Sequence, residues 1–411
     1  MADPQAFLDY LISTKTRLLG GMYPNSPGHC VTELDNFLRM RHLGEVDVRR
    51  HYLAVYPRTP GDNSVPAHIA ATYPDMFNPT SGIQIIIDDD MYLTALEIEA
   101  LYPEMVVDVG LSHLRVAVHD ARSRKKSHFT TLGGLPRRMS WLITHQHLAD
   151  LTLEYYRRLA ESRDYCPWAR IPEPSPELQQ LVGNGIDKLA LIHHKFNRSN
   201  SGTLVEPAAL HPTLAYLRDM GYTILKIGLD PFPPEWSHYG VIPYVSSGLI
   251  NYSHDLMLIK AAKFAMYNAS GFSHVSDIIG TPMVAYAGWH LNFVPTSQNC
   301  VHLPTLMRLK RNLRILRFSE QINYLSNSIE IWEGPPLFPQ ADYEEVTPTP
   351  ELLLASAQEA IALGNTATLP SPDQVRFNEL SRRRYYAYTQ SRICQKLLDE
   401  YPEALEFGFD A

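Results

Sequence analysis

Phe264 to Trp289, FAMYNASGFSHVSDIIGTPMVAYAGW, holds two short apolar runs separated by one helix length of chain. The first run ends at the turn Ala269-Ser270-Gly271, and the second, Met283 to Ala287, has the unbroken apolar character of a buried parallel strand. Between them Gly280-Thr281-Pro282 stops a helix in the expected order, with Gly past the last turn and Pro soon after. The helix starts at Ser270 or Phe272, with Ser273 available as a cap. Its first amides point beyond the end of the preceding strand, which in an open α/β sheet is a ligand crevice. A helix N-terminus there favours an anion, so the stretch predicts a seat for a diphosphate. The plainer alternative is one more βαβ unit in which Ser-Gly serves only the turn.

The segment before it, Asn251 to Lys263, reads as a helix with Leu256, Met257, Ile259 and Ala262 available for a buried face. A helix, a strand, Ser-Gly-x-Ser, a second helix and Gly-x-Pro-x-Val together resemble the nucleotide-sugar half of GT-B glycosyltransferases.

A chain of 411 residues is too long for one ordinary core, and two domains is the natural expectation. The composition, 45% apolar and 19% charged, is globular, and the net charge of -8 argues against general nucleic-acid binding. Basic clusters at 122–126 and 382–384 read as a solvated loop and a helix face. Charges at Asp3, Asp9, Lys15 and Arg17 interrupt the first apolar segment, so no signal peptide is read, and no apolar run is long enough to span a bilayer. Cys30, Cys166, Cys300 and Cys394 are far apart and form no metal-type pair, which fits reduced thiols in a cytoplasmic protein. The 31 prolines are scattered and mark turns, and no solenoid repeat is visible.

Along the chain, helix and strand patterns alternate. Pro4 to Thr14 reads as a helix, Arg17 to Tyr23 as a strand, and His29 to Leu43 as an amphipathic helix with Val31, Leu34, Phe37 and Leu38 on its apolar side. Glu33, Asp35 and Arg39 are expected elsewhere on its surface. Strands follow at His51 to Tyr56, Ile83 to Ile87, Met105 to Val109 and Leu114 to Val118. Helices are expected up to about Tyr73, over Met91 to Leu101 and over Ser140 to Ser162. This alternation indicates a doubly wound domain over 1–165. Four prolines between Cys166 and Glu177 read as a linker, placed at 166–186. A second domain over 187–345 opens with the strand Lys188 to His194. It continues with a helix from Pro207 to Met220, a strand from Tyr222 to Gly228, a loop from Asp230 to His238 and a short strand from Val241 to Val245. Helices at Leu352 to Leu363 and Asn378 to Leu398 belong to a C-terminal segment, 346–411, expected to brace the first domain as in GT-B enzymes.

The run SPGHCVTELDNFLRMRHLGEVDVRRHYLAVYP resembles the opening of a family of bacterial proteins described as glycosyltransferases. Members carry a Gly-His with a Glu four residues after the His, here Gly28, His29 and Glu33, and toward their C-terminal end the Ser-Gly and Gly-x-Pro-x-Val segment, here Ser270-Gly271 and Gly280 to Val284. Leu316 to Glu320 can match a following Leu-x-Phe-x-Glu stretch, and the likeness runs in order over roughly 17–325. The resemblance implies an α/β fold of GT-B type, with two Rossmann-like doubly wound domains facing across a cleft.

Glycosyl transfer needs a seat for the nucleotide diphosphate, a charge to stabilise it as it leaves, and in many cases a base for the acceptor hydroxyl. The seat is Ser270, Gly271, Phe272 and Ser273. The charge is assigned to Arg198, with Lys195 competing and Lys226 as a second phosphate candidate, because guanidinium and ammonium groups bind phosphate. The chain reads His193-His194-Lys195 where a His-x-Arg pattern is expected. His29, whose imidazole titrates near neutrality, is the candidate base, and Glu33 one turn later can orient it or act itself. The alternatives are a surface loop residue at 198, and an acceptor contact or a plain cap at 29. Trp289 and His290 can border the base or the sugar, Phe272 can stack on a nucleobase, and His254 and Asp255 read as caps with an option on ribose.

Two other patterns compete. Asp88-Asp89-Asp90 after an apolar strand resembles the metal-binding DxD of GT-A enzymes, with oxygen ligands suited to Mg²⁺ or Mn²⁺. His145 and His147 lie two apart on a helix and face different ways, which argues against joint ligation. The resulting expectation is a metal-independent GT-B glycosyltransferase using a nucleotide-sugar donor and an acceptor that is a small molecule, a glycan or a protein. No cofactor, nucleic acid or transmembrane segment is expected, and a homodimer is allowed. The rivals are a metal-dependent transferase or phosphohydrolase built on Asp88 to Asp90, and a nucleotide or sugar-phosphate binding protein without turnover.

Overall fold

The computed structural model describes residues 4–20, 27–58, 65–110, 145–195, 205–268, 270–287, 295–321, 341–365, 369–381 and 389–405. The chain divides into two compact units, Met1–Ile171 with Asn251–Ser253, and Pro172–Ile250 with His254–Ala411.

The first unit runs α1 (Pro4–Ser13), β1 (Thr16–Gly20), α2 (Pro27–His42), β2 (His51–Tyr56), α3 (Val65–Thr72), β3 (Ile83–Ile87), α4 (Asp89–Leu101), β4 (Val106–Asp108) and α5 (His145–Glu161). Its sheet has the order β3-β2-β1-β4, and every pairing is parallel. Parallel strands must be covered, and here Leu18, Leu53 and Val55 meet Phe7, Leu8 and Leu11 of α1 and Ile98 of α4 in one apolar cluster. The Leu114 to Val118 strand and the basic cluster at 122–126 lie outside the described residues.

One expectation about α2 fails. Glu33, Asp35 and Arg39 are buried instead of lying on the surface. The reason is a buried polar hub: Asp35 accepts from Arg39 Nε at 2.7 Å, from Tyr155 Oη at 2.9 Å and from Trp168 Nε1 at 2.9 Å. Arg39 also donates to Ser162, and Asn36 accepts from Arg158 at 2.9 Å. These bonds satisfy buried charges that would otherwise be costly, and they tie α2 to α5 and to the turn at Pro167–Arg170. The proline-rich stretch read as a linker therefore begins inside this unit, with Trp168 and Ile171 buried.

The second unit runs α6 (Pro176–Val182), β5 (Leu189–His193), α7 (His211–Asp219), β6 (Thr223–Lys226), β7 (Ile242–Pro243), α8 (Tyr252–Ala261), β8 (Phe264–Asn268), α9 (Gly271–Ile279), β9 (Met283–Tyr286) and β10 (Cys300–Leu303). Then come β11 (Leu306–Leu309), β12 (Tyr343–Val346), α10 (Pro350–Asn365), α11 (Pro372–Ser381), β13 (Arg392–Ile393) and α12 (Gln395–Glu400). The main sheet has the order β13-β10-β9-β8-β5-β6-β7, again with every pairing parallel, while β11 and β12 form an antiparallel pair. Both units thus have the α/β class with parallel sheets that the alternating pattern predicts.

From β5 the chain adds β6 and β7 on one side, then returns to add β8, β9 and β10 on the other. The register Ala190↔Phe264 to His193↔Tyr267 brings the ends of β5 and β8 level, so the reversal opens at their carboxyl ends. One face of this sheet packs on α7, α10 and α12 through Ile192, Met266, Val284, Leu214, Leu353 and Leu398. The C-terminal helices α10 and α12 complete the apolar cover of this core. The single helix expected over Asn378 to Leu398 is interrupted by β13, where Ile393 is buried and paired with His302 on the outer edge of β10.

Candidate functional site

The switch point of the second unit is built from the ends of β5, β6 and β8 and the start of α9. Asn268, the last residue of β8, clamps the segment after β5: its Oδ1 accepts from Lys195 N at 2.9 Å and its Nδ2 donates to Lys195 O at 3.2 Å. Ser270 then takes extended backbone angles and caps α9, accepting from Phe272 N at 3.1 Å. That bond uses a lone pair and leaves the Ser270 hydroxyl hydrogen to give elsewhere. Ser273, by contrast, donates its hydroxyl hydrogen to Ser270 O at 2.6 Å, so its side chain shapes the turn. Gly280 ends the helix in the left-handed conformation at φ 84°, as its position in the sequence predicts.

Two imidazoles and two ammonium groups lie at the ends of β5 and β6 and just beyond β5. His193 is buried, stacks edge to face on Phe272 with ring centroids 5.3 Å apart, and presses against Gly228. Burial holds its pKa well below the usual value, and the cations of Lys195 and Lys226 push the same way. His194 faces the opposite side of the strand, with Nδ1 2.6 Å from Tyr286 Oη, and burial pulls its pKa down to about 4. Both rings are therefore neutral near pH 7 and keep one N–H donor each. Lys195 is half-buried, and burial lowers its pKa against the opposing pull of Asp230. Lys226 is fully buried at the end of β6, donates to Asp230 O at 2.7 Å, and is pulled down to about 8 by burial.

The structure thus brings Lys195, Lys226, Ser270, Gly271, Phe272 and Ser273 to one edge of one sheet. Arg198 and Trp289 lie outside the described residues. Two residues that the sequence reading passed over also belong here. Asn268 is the clamp just described, and Asp230 follows the second strand of the unit's order, where a dinucleotide-binding sheet places an acid against the ribose. Asp230 was legible only once β5 and β6 were recognised as first and second strands, because its own Pro-rich surroundings read as a loop. His254 and Asp255, read as caps, fall in the first turn of α8. His254 Nδ1 lies 2.7 Å from Leu249 O, and Asp255 is buried beside Tyr244, with burial raising its pKa to about 7.

In the first unit, His29 falls in the first turn of α2, and its side chain lies outside the described residues. Glu33 is buried one turn later, close enough to Cys30 and Tyr56 to raise the pKa of both, and Cys30 Sγ is 3.4 Å from Tyr56 Oη. Asp88 caps α4, accepting from Met91 N at 3.0 Å, while Asp89 accepts from Arg58 N at 2.8 Å. Of the acidic run, Asp88 thus starts the helix and Asp89 holds the Arg58 backbone. The side chains of His145 and His147 lie outside the described residues. Among the described residues, no group of three or more His, Cys, Asp or Glu is placed to hold a metal ion, and no helix is long and apolar enough to cross a membrane. A cavity of about 450 Å³ lies away from the switch point, between α10, α11 and α12, and is lined by Glu359, Gln374, Arg392 and Gln395.

No family model and no curated protein matches the chain. Several solved structures are similar to it, among them the following three. E. coli heptosyltransferase WaaC with ADP-2-deoxy-2-fluoro heptose is 13% identical with a TM-score of 0.37, over 70% of this chain and 92% of that one. The glycosyl transferase family 9 structure from Veillonella parvula DSM 2008 is 14% identical with a TM-score of 0.44, over 85% and 96%. E. coli heptosyltransferase WaaC with ADP is 14% identical with a TM-score of 0.35, over 77% and 98%.

Proposed function

We propose that this chain is a glycosyltransferase that takes its sugar from a nucleotide-sugar donor, and that the second unit holds the donor. One observation carries the reading. The switch point of a 3-2-1-4-5-6 type sheet presents the capped N-terminus of α9 beside Lys195, with Asp230 at the end of the second strand. Amides of α9 and the Ser270 hydroxyl hold phosphate oxygens, Lys195 and Arg198 offset the charge of the leaving diphosphate, and Asp230 accepts from ribose hydroxyls. Phe272 and Trp289 border the base or the sugar. His29, at the start of α2, deprotonates the acceptor hydroxyl, and Glu33 one turn on orients it. No metal is required, because the helix terminus and the cations supply the charge. The acceptor is a small molecule, a glycan or a protein.

The test is a thermal-shift panel of nucleoside diphosphates with EDTA or with Mn²⁺, followed by donor hydrolysis with the matching nucleotide-sugars. Ligand at about 100-fold its dissociation constant adds roughly 2.7 kcal/mol to the folded state. A base-selective rise in EDTA, with slow release of sugar from the matching donor, supports the proposal. No rise with any nucleotide sinks it, a rise that needs Mn²⁺ returns the site to Asp88 to Asp90, and binding without any turnover leaves a binding protein.

A further inference from the structure

The Lys226 side chain is fully buried at the end of β6. Its Nζ donates to the backbone oxygen of Asp230 at 2.7 Å, four residues on, and so closes the loop from the end of β6. Inside that loop Gly228 takes φ +86° and lies so close to His193 that a Cβ there would be 2.4 Å from the ring. The loop is therefore fixed at two points, by Lys226 at its far end and by the His193 ring in its middle. The bond to the Asp230 carbonyl does not use the Asp230 carboxylate, which is near enough to both Lys195 and Lys226 to oppose the lowering of their pKa by burial.

We propose that Lys226 is a positioning residue for sugar-ring recognition: its buried ammonium fixes the loop that carries Asp230 and so sets how well the site distinguishes ribose from deoxyribose. This rests on the nucleotide reading above and adds to it which residue holds the ribose acceptor in place. A charge-assisted bond from an ammonium is stronger than one from a neutral amine, so the loop loosens when Lys226 loses its proton. Burial brings that loss to about pH 8. Among the described residues the titratable groups that act on Lys226 are Asp230 from its own loop and His193 and His194 at the end of β5, Lys195 lies beside the same Asp230, and the partner of Lys226 in β7 is Pro243. Both imidazoles are neutral throughout pH 7 to 9.5, which leaves Lys195 as the other group to control for.

The experiment measures dissociation constants for ADP, GDP, UDP and CDP and their 2′-deoxy forms from pH 6.5 to 9.5. The best ribonucleotide is expected to bind about tenfold or more tightly than its deoxy form at pH 7, the range for one hydrogen bond to a charged group. That ratio falls as pH passes about 8. Lys226→Met brings the ratio close to one at every pH. Lys226→Arg, whose charge does not titrate here, keeps the ratio at pH 9. Lys195→Met weakens binding of both forms but keeps the pH step. A ratio in the unaltered protein that stays level from pH 7 to 9.5 overturns the proposal without needing any variant to fold. So does a folded Lys226→Met protein that keeps the full ratio. Should none of the eight nucleotides bind, the nucleotide reading and this inference fall together, whereas binding with a level ratio removes only this one.

Discussion

The His193 imidazole fills the space that a side chain at residue 228 would need: a Cβ on Gly228 would lie 2.4 Å from both Cδ2 and Nε2 of the ring. Backbone at φ +86° and an aromatic wall both demand glycine at that position, so the end of β6 is shaped by the end of β5.

Gly228→Ala should destabilise the protein by about 1–3 kcal/mol, the usual cost of overpacking together with left-handed strain. It should also weaken nucleotide binding, because the ring must move toward Phe272. Denaturant unfolding gives the first quantity and titration calorimetry the second. His193→Ala in the same chain should recover part of the loss, and strictly additive effects would show that the two residues do not interact.

Asp255 gives a pH signature. Burial pushes its carboxyl up to about 7 in the folded chain, from about 3.9 in an unfolded one, so folding takes up a proton between those values. For a raised carboxyl the sign is a penalty, absent below about pH 4, growing as pH rises and complete above about pH 7. Asp255→Asn should therefore melt higher than the unaltered protein at pH 8, by an amount on the order of a few kcal/mol, and equally at pH 4. A difference that does not change with pH would assign the effect to packing.

Arg39→Met should cost about 3–5 kcal/mol, because it leaves the buried Asp35 without its cation while Tyr155 and Trp168 remain bonded to it. Asp35→Asn combined with Arg39→Met should cost less than the sum of the two single changes. Urea unfolding of the four proteins closes the cycle, and simple additivity would mean that the pair is not coupled.

Asp88→Ala removes the cap that holds Met91 N and should cost roughly 1 kcal/mol of stability. Nucleotide affinity in EDTA should be unchanged. Loss of an Mn²⁺-dependent activity in this variant would favour the metal-dependent rival.

The strands His51 to Tyr56 and Ile83 to Ile87 have the bounds that the sequence predicts, because an apolar run between turns needs no distant partner to declare itself. At the start of α9 the cap is Ser270 and not Ser273, the residue the sequence offers for it, because the Ser273 hydroxyl is committed to the Ser270 carbonyl. Asp35 and Arg39 misled because charged residues on a helix normally face water, and what reverses that here are Tyr155 and Trp168, far away in the chain. The charge of Lys226 makes it a phosphate candidate in the sequence, whereas its bond to the Asp230 carbonyl is visible only in the loop geometry. The interrupted helix near the C-terminal end has a similar cause: Arg392 and Ile393 become a strand because β10 offers them an edge.

That last pairing has a consequence for how the chain is made. The outer edge of β10 stays open during synthesis until Arg392 and Ile393 emerge, long after Val301 and His302 with which they pair. For that interval an apolar strand edge, with the inward faces of α10 and α12 not yet laid down, is a template for foreign strands. Ribosome stalling or proteolytic loss ahead of residue 392 would leave the half-built sheet in that sticky state, so chaperone demand should concentrate on the second unit.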